Sequence, residues 1–157
     1  MGGSPKGYRE IGETYCPVSE HDGRLIQKRL ATRRNYEQKT CFATDEIQIS
    51  FGRADVLETR WDGTLVEYEV KVSKADFESE MCVIRSLVAG GEVPNPDGNP
   101  KISKHSAYLS GPKKETRPGV ARIVPKYFSF VVPPFLEKHA KESLKGTPYG
   151  LMVAEDC

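Results

Sequence analysis

The chain has 157 residues and a mass of 17.5 kDa, enough to bury one good core and too few for two comfortable domains. Its composition, 38% hydrophobic and 29% charged with a mean hydropathy of -0.52, excludes a disordered or fibrous chain, and no apolar run approaches the roughly 20 residues that cross a bilayer. The net charge of +1 hides strong segregation: five bases and no acid between Arg24 and Arg34, ten acids against four bases between Asp45 and Glu80, and seven bases against Glu115 alone between Lys101 and Lys126.

Residues 1–21 hold Gly and Pro with little periodicity and are expected to form a loose arm ahead of a single domain over 22–157. The first ten residues contain no apolar stretch of a signal peptide, so a cytoplasmic location and no membrane association are expected. A first helix is predicted near 22–35, where Leu25, Ile26, Leu30 and Ala31 make a narrow apolar stripe with the bases outside it.

The period then changes to two. Ile47 and Ile49 share one face of a strand, Phe51-Gly52 marks a turn or bulge, and a second strand runs through Arg53-Ala54-Asp55-Val56-Leu57-Glu58. Asp62-Gly63 is a hairpin signal, which makes the next strand antiparallel to the one before. In that strand Val66, Tyr68, Val70 and Val72 point one way, and Glu67, Glu69, Lys71 and Ser73 the other, so Glu69 and Lys71 stand side by side on one face.

Ser73 with Asp76 forms a capping signal, and Phe77, Met81, Ile84 and Val88 recur at helical spacing, predicting a second helix over about 74–88. The Gly- and Pro-rich residues 89–100 end it in a surface loop, and the basic stretch after Lys101 leaves room for a short helical piece before another loop at Gly111-Pro112. Tyr127–Val132 reads as a buried strand. Pro133-Pro134 open a helix carrying Leu136, Ala140 and Leu144 and closed at Gly146, and Tyr149–Val153 reads as a last strand, joined to the one before it by a parallel crossover.

The four cysteines, Cys16, Cys41, Cys82 and Cys157, form no CxxC pair, so neither a zinc site nor a disulfide framework is expected, and free thiols packed as small apolar groups are. An acidic centre between basic flanks suits a protein that holds a cation in its middle and grips a polyanion around it; solvated faces that happen to segregate would look the same.

The element order is αβββαβαβ, with an Asp on the second strand and Glu-x-Lys on the third. The runs Arg53-Ala54-Asp55-Val56-Leu57-Glu58 and Glu69-Val70-Lys71-Val72-Ser73-Lys74-Ala75-Asp76-Phe77, with Glu46 ahead of them, resemble the PD-(D/E)XK nuclease superfamily. Within it, the later Lys104-His105, Tyr108 and Tyr127–Pro133 are similar to the MmcB-like group of DNA-repair proteins. The Pro that precedes the Asp in the superfamily pattern is Ala54 here.

The resemblance implies an α/β restriction-endonuclease-like core, a central mixed sheet of about five strands flanked by helices, and metal-dependent hydrolysis of phosphodiester bonds in DNA. Such hydrolysis puts negative charge on phosphoryl oxygens, which a hard cation neutralises through oxygen ligands. Asp55, Glu69 and the Val70 carbonyl are the implied ligands for Mg2+ or Mn2+, Glu46 a further carboxylate, and Lys71 the cation that stabilises transition-state charge, making Asp55, Glu69 and Lys71 the catalytic set.

Lys74, Lys101, Lys104, His105 and Tyr108 are candidate nucleic-acid contacts, although a lone His is more often a surface residue. Trp61 could stack on a base or pack at the sheet edge. A surface salt-bridge cluster is the bland alternative for the catalytic set. In functional terms the alternatives are a nucleic-acid-binding module of the same fold that cuts nothing and, more weakly, a protein-interaction domain. A homodimer is compatible with cutting both strands of a duplex.

Overall fold

The computed structural model describes residues 23–49, 52–90, 93–110 and 124–154. The described residues open with helix α1 (Gly23–Arg34), whose buried stripe of Ile26, Leu30 and Ala31 follows the sequence pattern and whose last turn carries Arg33 and Arg34, favourable against the helix dipole. Strands β1 (Thr40–Ile49) and β2 (Gly52–Arg60) pair antiparallel, from Ile49 opposite Gly52 to Thr40 opposite Arg60, with an irregularity at Cys41.

The Asp62-Gly63 signal produces the expected hairpin into β3 (Leu65–Val70). Gly63 takes φ +87, a region open to glycine without penalty, and the Asp62 carboxylate accepts the Thr64 amide at 2.8 Å, closing the turn. Ser73 caps α2 (Lys74–Val88) by accepting the Asp76 amide at 3.2 Å. A full helix, α3 (Pro100–Ser110), stands where sequence reasoning allowed only a short helical piece.

Strand β4 (Tyr127–Val132) pairs parallel with β3. A 3-10 turn at Pro134–Leu136 then leads into α4 (Glu137–Ser143), and β5 (Gly150–Val153) pairs parallel with β4. The fold is therefore α/β, with an open mixed sheet in the order β1-β2-β3-β4-β5. The arm expected at 1–21, Phe51 of the expected Phe51-Gly52 turn or bulge, and the loop expected at Gly111-Pro112 lie outside the described residues.

Each face of the sheet carries its own core. On one side α1 covers Val56, Val66, Tyr68, Val70 and Val131; on the other Phe77, Met81 and Ile84 of α2 pack with Phe128, Phe130 and Val132 of β4, Leu136, Ala140 and Leu144 around α4, and Tyr149. Phe77 meets Phe130 edge to face at 5.2 Å, the favourable aromatic geometry. Cys41 and Cys82 are exposed free thiols rather than packed apolar groups, because both point outward from their elements. Among the described residues no helix is long and apolar enough to cross a membrane.

Among the described residues, Glu58 is the charged group buried on the α1 side. Glu58 is fully buried and satisfied: it accepts from Arg34, Arg60, Thr40 and Tyr68, the last at 2.6 Å. Burial pushes its carboxyl up, but the Thr40, Tyr68 and Arg34 hydrogen bonds outweigh that and hold it below the usual glutamate value. This cluster ties α1 to β1, β2 and β3.

Candidate active site

Alternation along β2 and β3 sends Val56, Val66, Tyr68 and Val70 to α1, and leaves Asp55, Glu67, Glu69 and Lys71 for the face covered by α2 and α3. The last backbone pair between the strands is Val56 with Tyr68; one step further, the same register sets Asp55 against Glu69. There the strands part, and the Val70 amide donates to Asp55 Oδ2 at 2.8 Å in place of a ladder bond. The Val70 carbonyl leaves β3 on the same side as that amide, towards Asp55, because the Lys71 amide serves β4 through Val131.

Asp55, Glu69 and Lys71 thus share one face, at 8%, 6% and 3% exposure. The Lys71 ammonium lies 3.3 Å from Glu69 Oε2, 3.6 Å from Asp76 Oδ2 and 2.8 Å from Glu80 Oε1. Lys101, on the first turn of α3, donates to Glu69 Oε2 at 3.2 Å and to the same Glu80 oxygen at 2.7 Å. Lys104 donates to Glu67 and to the Arg53 carbonyl, and Tyr108 donates to the other Glu67 oxygen at 2.7 Å.

Four carboxylates (Asp55, Glu67, Glu69, Glu80) and three ammonium groups (Lys71, Lys101, Lys104) therefore meet in one largely water-excluded layer, with acid in excess by one. Burial raises the Asp55 carboxyl despite the Val70 amide, Lys71 and Lys101. Burial likewise raises Glu69, with repulsion from Glu80 and Asp55 adding to it. Burial raises Glu67 as well, against the opposing pull of Lys104 and Tyr108. Burial works against the Lys71 charge too, but Glu80 and Glu69 outweigh it and keep its pKa above the ordinary lysine value.

These electrostatics fit a hard divalent cation between Asp55 and Glu69. Both side chains offer oxygen donors, burial holds the two carboxyls above their ordinary range, and an added positive charge would favour their ionised form, while Lys71 and Lys101 already lie 3.3 and 3.2 Å from Glu69 Oε2. The set is lean: among the described residues no group of three or more His, Cys, Asp or Glu side chains stands ready to hold a metal ion, so the Val70 carbonyl or waters would complete the shell.

Glu46 stands apart from this layer. Its register position on β1 is opposite Asp55, but its backbone takes φ +50, rare for a residue with a side chain, and its carboxylate pairs with Arg24 of α1 at 3.1 Å. The candidate nucleic-acid contacts divide as well. Lys74 is exposed and Lys101 half-exposed, whereas Lys104 and His105 are buried and held by glutamates, and Tyr108 is half-buried. His105 is therefore an interior residue, not the surface histidine that base rates favour. Trp61 is 72% exposed at the far end of the sheet.

Sequence reasoning missed Glu80, Tyr149 and the part played by Glu67. Glu80 carried a signal: it lies between Phe77 and Ile84 on the stripe that α2 buries, where a carboxylate is out of place unless something positive meets it. Glu67 shares the polar face of β3 with Glu69. Tyr149 looked like one more strand residue. Comparison of the chain with known protein families, curated proteins and solved structures returns no match.

Proposed function

We propose that the chain is a Mg2+- or Mn2+-dependent nuclease of the PD-(D/E)XK type that hydrolyses phosphodiester bonds in DNA, built on a restriction-endonuclease-like core and similar in motif pattern to the MmcB-like group. One observation carries this reading: Asp55 and Glu69, on neighbouring strands, face the same side where the strands part, with the Lys71 ammonium 3.3 Å from Glu69. A surface salt-bridge cluster would be solvated; this trio is buried, which is costly without a purpose.

Asp55, Glu69 and the Val70 carbonyl would hold the ion, which when bound supplies charge neutralisation at the phosphate and a water of lowered pKa. Lys71 keeps a fixed positive charge beside Glu69, suited to stabilising a phosphoryl oxygen as it gains charge. Lys101, whose side chain is 43% exposed, stands where the buried layer meets solvent and can exchange its carboxylate partners for a backbone phosphate.

A second reading draws support from one feature. Glu69 Oε2 is already met by Lys71 and Lys101, and Glu69 Oε1 lies 4.0 Å from Lys104, so the layer is partly self-neutralised, as suits a module that binds nucleic acid without cutting it. Cleavage assays on single-stranded, duplex, flapped and branched DNA with Mg2+ or Mn2+ separate the two. For the nuclease, Asp55→Asn and Lys71→Ala each lower the cleavage rate by about 100-fold or more while the protein stays folded. Salt-dependent binding with no cutting by the parent protein under any of these conditions selects the module.

A further inference from the structure

Glu80 is 1% exposed on a helix face otherwise given to Phe77, Met81 and Ile84. Three nitrogens converge on it: Lys71 at 2.8 Å and Lys101 at 2.7 Å on Oε1, and His105 Nε2, which donates to Oε2 at 2.6 Å. His105 is itself fully buried, and its Nδ1 meets the Tyr149 hydroxyl at 2.8 Å. A line of hydrogen bonds thus runs from Tyr149 just before β5, through α3 and α2, to the lysine just after β3.

The distances rank the partners of Lys71. Glu80 is nearer than Glu69 by half an ångström, 2.8 against 3.3 Å, and Asp76 is further still and mostly exposed. Glu69 is also the residue whose oxygens a cation would claim, so the partner left to hold Lys71 then is Glu80. Fold stability gives no reason for such a group, since well-packed apolar residues commonly replace buried ionic networks without loss.

We propose that Glu80 is a positioning residue that sets the Lys71 ammonium for the reaction, with His105 and Tyr149 fixing the Glu80 carboxylate in turn. The catalytic part of this inference rests on the nuclease reading; the hold of Glu80 on Lys71 does not. A residue of this kind changes turnover rather than substrate affinity, and partners along one line of hydrogen bonds do not act additively.

The test pairs kinetics with amine-selective NMR of the Lys71 ammonium in the full chain, its signal assigned by loss in Lys71→Ala. Glu80→Gln should lower kcat by about 10–100-fold with KM for DNA within about threefold, His105→Gln should lower it less, and the double variant should match Glu80→Gln alone. The Lys71 signal should shift or broaden in both single variants, and Glu80→Asp should restore part of it. A kcat for Glu80→Gln within about threefold of the parent, additive losses, or an unmoved Lys71 signal overturns the proposal.

If the parent cuts no DNA, the nuclease reading falls separately and the NMR signal alone decides whether Glu80 holds Lys71. If Glu80→Gln does not fold, Tyr149→Phe removes a single hydroxyl at the far end of the line. A moved Lys71 signal then supports the proposal and an unchanged one overturns it.

Discussion

Asp55 and Glu58 lie three residues apart on β2, face opposite sides of the sheet, and respond to protons with opposite sign. For Asp55, burial raises the folded-state pKa above the ordinary aspartate range, so folding favours the protonated form. The stability this gives is present in acid and is lost as pH rises through the folded pKa. Wherever the carboxylate is ionised in the folded chain it is therefore a burden that function would have to justify. Asp55→Asn keeps an oxygen for the Val70 amide and removes the charge; its thermal midpoint at pH 7 should rise, by roughly 2–4 °C for each kcal/mol relieved, with the gain closing below about pH 4. A midpoint equal to or below that of the parent at pH 7 would show that the pocket does not penalise this charge. Glu58 runs the other way. Its folded pKa is depressed below 4.5, so its contribution is present above that pH and is lost as pH falls through the folded value. Glu58→Ala leaves Arg34 and Arg60 without their carboxylate and should cost about 3 kcal/mol in denaturant unfolding near neutral pH, less in acid, with DNA cleavage per folded molecule unchanged.

At the scale of elements, the junction between β2 and α3 decides whether Lys101 reaches the layer. Gly52 opens β2 at φ +104, and a Cβ built there would lie 3.2 Å from the Pro100 ring at the first residue of α3. Gly52→Ala therefore meets backbone strain and a crowded neighbour together, and should cost about 1–3 kcal/mol while pushing the α3 start and Lys101 away from Glu69. Unfolding midpoints and the NMR signal of the Lys101 ammonium check both effects; an unmoved Lys101 signal would mean that α3 is held elsewhere. The same junction shows what was legible in the sequence. Period-two alternation in β3, the Asp62-Gly63 turn and the Ser73 cap gave the strands, the hairpin and α2, and with them the shared face of Asp55, Glu69 and Lys71, because each signal is local. Helix α3 was not legible as an element, since two of its buried residues are Lys104 and His105, polar groups that make sense inside only beside Glu67 and Glu80. Those partners lie 37 and 25 residues away, a distance at which no periodicity speaks. Glu46 illustrates the reverse case: its register position was readable, but its left-handed backbone and its turn towards Arg24 were not.

Across the whole molecule, the layer of four carboxylates and three lysines draws Lys101, half-exposed, and Lys104, buried, from the start of the second of the two basic stretches, Arg24–Arg34 and Lys101–Lys126. A net charge of +1 therefore describes neither the interior nor the flanks. If a divalent cation sits between Asp55 and Glu69, metal must bind the folded chain and not the unfolded one, because only folding brings Asp55 to the end of β3. Titrating Mn2+ into chelator-treated protein should then raise the thermal midpoint with concentration. The gain should approach about 2.7 kcal/mol at one hundred times the dissociation constant, several degrees for a chain of this length. Asp55→Asn and Glu69→Gln should flatten the response, whereas Glu58→Ala, on the other face, should lower the starting midpoint and keep the slope. A parent protein whose midpoint ignores Mn2+ and Mg2+, or an Asp55→Asn variant that responds as the parent does, would place the cation elsewhere or nowhere. Salt then tells the interior from the flanks: DNA affinity should fall steeply as salt rises, since phosphate contacts release counterions, while the buried layer, shielded from bulk ions, should keep its metal response nearly unchanged.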